Sequence, residues 1–144
     1  MLDIRPIDDT IAVAPQIDPA DIAAVKAAGY VAVVNNRPDG EEAGQPTGAA
    51  IRAACQEAGL SYTAIPVTSA GFSHPQVTAM IDAVGQAGGP VLAYCRSGTR
   101  SCNLWALSAA GLGADADEVT AKGAAAGYDL TGLRPLMDAV SAKA

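Results

Sequence analysis

Basic residues are scarce in this 144-residue chain, where nine Lys and Arg stand against fifteen Asp and Glu for a formal net charge of −6. That balance argues against nucleic acid or an anionic membrane surface as a partner. Histidine occurs once and there is no Cys-x-x-Cys pair, so neither a structural nor a catalytic metal is expected, nor any other cofactor. Three cysteines, an odd count without framework spacing, suggest free thiols in a reducing compartment. No apolar run is long enough to span a membrane, and Met1-Leu2-Asp3-Ile4-Arg5-Pro6 lacks the core of a signal peptide. A cytoplasmic protein is the expectation. Aromatics make up only 4% of a chain that is 50% hydrophobic, which suits close helix–sheet packing through alanine. Internal repeats and long linkers are also missing, so residues 1–144 are read as one domain with a sizeable core.

What is present alternates. Ile11–Ala14, Tyr30–Val34, Tyr62–Val67 and Val91–Tyr94 read as short apolar strands. Between and after them lie helices with start and stop signals. Asp18 with Pro19 opens one that Gly29 ends; Thr47–Ala58 is closed by Gly59; Ser73 caps another reaching about Ala87. Three more follow: a very apolar one after the last strand, one opened by Asp115 and Glu118, and a terminal one from Thr131. This β-α-β-α-β-α-β-α-α-α order calls for an α/β fold, a parallel sheet flanked by helices in three layers.

The chemistry concentrates in Cys95-Arg96-Ser97-Gly98-Thr99-Arg100-Ser101, between the last strand and the apolar helix. A polar turn there can curl its N–H groups around the Cys95 sulfur, helped by the helix N-terminus and by Arg96 and Arg100. Each favours thiolate over thiol and therefore a nucleophile. The same cradle suits an oxyanion, with backbone donors from Ser97, Gly98 and Thr99 and a hydroxyl from Ser101. A second polar loop, Asn35–Glu42, follows a strand and so lies at the carboxyl edge of the sheet, where ligands of open α/β sheets bind. Arg37 is its candidate anion contact; Asp39 and Glu42, with the lone His74, are candidates for acid or base. Cys55 reads as a core residue. Cys102 reads as a buried helical thiol, with the resolving partner of an oxidised Cys95 as the alternative.

The spacing of Cys95 and Arg100, with four residues between them, resembles the active loop of single-domain rhodaneses. More of the chain is similar to the beta-lactamase-hydrolase-like protein, phosphatase-like domain family, also catalogued as rhodanese-related sulfur transferases. The resembling stretches run from Asp9–Gln16 through Val34–Glu41, Ile65–Val67 and the Cys95 loop to Leu107, then Gly127–Pro135. That resemblance implies a cysteine-phosphatase-like sheet of the dual-specificity type carrying a rhodanese-like loop. It also implies occurrence alone or joined to a metallo-β-lactamase-like domain of the persulfide dioxygenase type.

Two features bear on the reaction. The loop is one residue shorter than the phosphatase form, and no Asp or Glu occurs between Glu57 and Asp82, leaving only Asp39, Glu41, Glu42 or His74 as a proton donor. Both favour sulfur transfer: Cys95 would take sulfane sulfur from a small anionic donor such as thiosulfate and pass it to a thiol acceptor, beside a persulfide dioxygenase. A cysteine-dependent phosphatase using Cys95 and Arg100 is the alternative, and a non-catalytic anion- or redox-sensing domain the third reading.

Overall fold

The computed structural model describes residues 2–143. In chain order, β1 is Arg5–Pro6, β2 Ile11–Ala14, α1 Ile22–Ala27, β3 Ala32–Asn35, α2 Gly48–Ala58 and β4 Ser61–Ala64. There follow α3 His74–Gln86, β5 Val91–Tyr94, α4 Thr99–Gly111, α5 Ala116–Ala125 and α6 Arg134–Lys143. The five strands lie in the order β1-β2-β5-β3-β4. β2, β5, β3 and β4 are mutually parallel, while β1 pairs antiparallel with β2. β5, the strand leading to Cys95, is therefore central, as the alternating pattern requires.

Strand periodicity divides the core. Ile11, Val13, Val34, Val91 and Ala93 face α3, α4, α5 and α6, whereas Ala12, Ala14, Val33, Leu92 and Tyr94 face α1 and α2. Successive side chains of a strand point to opposite faces, so four-residue apolar strands can serve two layers at once. α4 lies deepest: Leu104, Ala106 and Leu107 are completely or almost completely buried, as are Ser101 and Cys102 in its first turn. Each large apolar side chain buried this way contributes about 1.5–3 kcal/mol.

The helix signals act at the positions read from sequence. Thr47 Oγ1 accepts from Ala50 N at 3.1 Å. Ser73 N donates to Gln76 Oε1 at 2.8 Å, and an Asp115 carboxylate oxygen accepts from Glu118 N at 3.2 Å. The helix expected after Asp18 opens as a 3₁₀ turn, Pro19–Asp21, before α1 begins; the terminal helix likewise opens as a 3₁₀ turn over Thr131–Leu133. Two strand expectations need correction. β1 was not anticipated, because two residues carry no periodicity; its Pro6 also blunts the sheet edge. The Tyr62–Val67 strand is displaced to Ser61–Ala64, since Pro66 has no N–H, and beyond Ala64 the backbone N–H groups of Ile65 and Val67 bond to Asn35 O and Asn36 O outside the regular ladder. Among the described residues, no helix is long and apolar enough to cross a membrane.

Two helical glycines differ in their surroundings, and this gives opposite expectations. A Cβ on Gly85 meets nothing within 4 Å, so Gly85→Ala should raise stability by about 0.5–1 kcal/mol through helix propensity. A Cβ on Gly123 would stand 2.3 Å from Leu130 Cδ1 and 2.8 Å from its Cγ, so Gly123→Ala should lower stability. Overpacking of this kind costs about 1–3 kcal/mol, and denaturant midpoints of the two variants check both signs.

Candidate active site

Cys95 follows β5 directly, and its backbone N–H donates to Ala14 O of the neighbouring strand at 3.4 Å. The residue is fully buried, yet its sulfur is turned into the loop, where Gly98 N–H donates to Sγ at 3.2 Å. Gly98 forms the N-cap of α4 with φ +90°, a conformation costly for any side chain. A Cβ there would also lie 2.1 Å from Tyr128 Oη. Tyr128 holds the turn from outside by donating its hydroxyl to Ser97 O at 2.9 Å. These contacts place the sulfur at the N-terminal end of a 13-residue helix, where the dipole favours negative charge.

The expected ring of donors is narrower than the sequence suggested. Thr99 N–H goes to Ser97 Oγ at 3.4 Å, and the two hydroxyls of Ser97 and Thr99 are 2.9 Å apart and exposed. Ser101 is no anion donor as it stands: it is buried and donates its hydroxyl to Asn36 Oδ1 at 2.7 Å. Asn36 in turn donates Nδ2–H to Ile65 O at 2.9 Å, stitching the first turn of α4 to the loops after β3 and β4.

The two arginines part company. Arg100 donates Nη1–H to Glu41 Oε2 and to Val67 O, and Nη2–H to Glu41 Oε1, each at 2.8 Å. Its hydrogen bonds to Glu41 are the largest of the causes that hold the guanidinium above its ordinary range. Arg96, expected as a second fixed cation beside the sulfur, is instead exposed and 3.6 Å from Glu42 Oε2. A side chain on the outer face of the turn has no buried acceptor to hold it.

Arg37 also departs from expectation. Rather than an open anion contact, it is a buried strut, only 3% exposed, donating to Glu41 Oε1 at 2.9 Å, Gln16 Oε1 at 3.0 Å and Glu42 Oε1 at 3.5 Å. Asp39 is exposed, and its Oδ1 accepts from Gly48 N at 2.8 Å, at the start of α2. Glu42 sits between Arg37 and Arg96. His74 is the exposed first residue of α3 and lines a groove with Phe72, Ile81, Leu107 and Leu136. The structure thus gathers Cys95, Gly98, Arg100, Arg37, Glu41 and Glu42, and leaves Asp39 and His74 outside. Sequence reasoning did not single out Tyr128 or Asn36, whose roles arise from contacts across 31 and 65 residues. Glu41, a candidate proton donor from sequence, is instead the acceptor for Arg37 and Arg100, and its four-residue spacing from Arg37 was the signal for that pairing.

Cys102 and Cys55 are both fully buried, and desolvation pushes their thiols up to about 12 and about 11. Among the described residues, no three of His, Cys, Asp or Glu converge as a metal cluster.

Glu41 makes a pH-dependent tie. Its hydrogen bonds to Arg100, and secondarily to Arg37, hold its carboxyl at about 2 against an ordinary 4.5. A group depressed on folding stabilises above its unfolded value and loses that contribution as pH falls toward its folded value. Stability should therefore drop between about pH 4.5 and 2 in the natural protein. In Glu41→Gln that drop should be smaller, as followed by urea denaturation across the same window.

A family profile described as "Beta-lactamase hydrolase-like protein, phosphatase-like domain" matches residues 3–112. The beta-lactamase hydrolase-like protein of Xylella fastidiosa strain Temecula1 is 38% identical over 125 residues, which cover 86% of this chain but 29% of the relative. The chain thus spans less than a third of that protein. A candidate phosphatase from Neisseria meningitidis z2491, solved by crystallography, superposes with a TM-score of 0.83 at 35% identity, over 95% of this chain and 97% of the other. Tk-PTP in its active form superposes at 0.74 with 18% identity, over 98% and 97%, a likeness of fold alone. The chain belongs to the family of the beta-lactamase hydrolase-like protein, phosphatase-like domain.

Proposed function

We propose that the protein is a cysteine-dependent phosphatase. The observation that carries the reading is the disposition of Cys95, its sulfur bonded by Gly98 N–H at the start of α4 with Arg100 in the first turn of that helix, in a chain of the phosphatase-like family. In the first step the Cys95 thiolate attacks phosphorus and the bond to the leaving oxygen breaks. Arg100, backed by Glu41, and the α4 dipole stabilise charge on the phosphoryl oxygens. Water then attacks phosphorus, the S–P bond breaks, and phosphate leaves with the thiolate restored.

This reading replaces sulfur transfer as the preferred one. The argument from loop length supposed that four intervening residues make a cradle too tight for phosphate. Arg100 stands in the first turn of α4 all the same, held by Glu41 and Val67 O, and Ser101, where a longer loop would carry the cation, is committed to Asn36. Sulfur transfer stays the second reading on one observation, the four-residue spacing.

Assays with an aryl phosphate, and in parallel with thiosulfate plus cyanide, separate the two. Cys95→Ser should abolish aryl phosphate hydrolysis. Arg100→Lys, which loses the two-pronged grip on Glu41, should lower kcat/KM by about a hundredfold to a thousandfold, the range for one removed oxyanion donor. Thiosulfate turnover without phosphatase turnover would overturn the proposal.

A further inference from the structure

Every carboxylate in the loop beside Cys95 is already engaged. Glu41 accepts three hydrogen bonds from Arg37 and Arg100, so it stands as a charged acceptor rather than a proton donor. Glu42 is paired with Arg37 and Arg96, and Asp39 accepts the Gly48 N–H. The loop after Val67, which approaches Arg100 through the Val67 carbonyl, contains no Asp or Glu. The hydroxyls nearest the sulfur are also engaged: Tyr128 with Ser97 O, Ser101 with Asn36, and Ser97 with Thr99. Hydroxyls are in any case poor acids at neutral pH, too far from the operating pH to help a departing alkoxide.

We infer that the site serves phosphoryl groups on leaving groups that depart as stable anions, aryl or acyl phosphates, and discriminates against alkyl phosphates. This rests on the phosphatase reading and adds the substrate class. In the cysteine step the leaving oxygen keeps the electron pair of the broken P–O bond and departs unprotonated. Water supplies the oxygen in the second step, with its proton passing to phosphate or solvent. The charge that builds on the leaving oxygen is thus borne by the substrate, and the rate follows the stability of that anion.

The test is a series of aryl phosphates of graded leaving-group pKa, extended to phosphoserine, with kcat/KM as the readout because it reports the first step alone. The inference expects kcat/KM to fall about tenfold for each unit rise in leaving-group pKa, the slope of a step with no proton transfer. It also expects the same slope in Glu42→Gln and Asp39→Asn. A shallow slope in the natural protein, or one that Glu42→Gln or Asp39→Asn makes steep, reveals a working acid and overturns the inference while leaving the phosphatase reading intact. No turnover of any aryl phosphate would remove the phosphatase reading, and this inference with it.

Discussion

The two-pronged pair between Arg100 and Glu41 ties together segments 59 residues apart in sequence, and the rest of the site depends on it. The same guanidinium bonds Val67 O, so three loops at the carboxyl edge of the sheet meet on one side chain. Planar, bidentate geometry makes such a pair directional as well as attractive, which fixes the orientation of the Arg100 guanidinium. Arg37 stiffens the arrangement from beneath, since a buried arginine needs acceptors and finds them in Gln16, Glu41 and Glu42. The cluster sets three guanidinium groups against two carboxylates on a body of net charge −6, so an anion meets a local positive surplus there.

Around that tie the backbone is immobilised by unglamorous contacts. Gly98 turns the chain into α4, Tyr128 grips Ser97 O, and Ser101 is pinned through Asn36 to Ile65 O. Each removes a way for the Cys95 turn to relax. The depth of α4 adds to this, because a helix packed on every side cannot slide to accommodate a displaced loop. Preorganisation of the nucleophile is thus shared between a central parallel strand, a buried helix and three loops. A site of this kind is assembled by tertiary structure rather than by its own short sequence.

How far the chain could be read in advance follows from the range of the forces involved. The strand Val91–Tyr94, the caps at Thr47, Ser73 and Asp115, and the permissive glycine at position 98 are local, and each stands where local chemistry puts it. The turn that carries Cys95 was legible for the same reason, since a strand, a turn and a helix start are neighbours in sequence. Partner choice among charges was not. Arg96 and Arg100 look alike in the sequence, yet one is held by Glu41 and Val67 O and the other is exposed with a single longer ion pair to Glu42. Arg37 reads as an anion contact until Gln16 and Glu41 are seen to saturate it, and Asp39 as an acid until Gly48 takes it. The step from loop length to reaction type carried a similar assumption, a cradle of several backbone amides, where the structure has Gly98 N–H on the sulfur at the end of a helix. β1 escaped because two residues carry no pattern.

The central claim is that Cys95 forms a bond to phosphorus in the cradle that Arg100 and Gly98 complete. Rapid mixing of the protein with an aryl phosphate, acid quenching and peptide mass spectrometry test it most directly. The account expects one phosphoryl group on the Cys95 peptide and none on the peptides of Cys55 or other residues. An unmodified Cys95 during steady turnover, or a phosphoryl group found elsewhere, would contradict it.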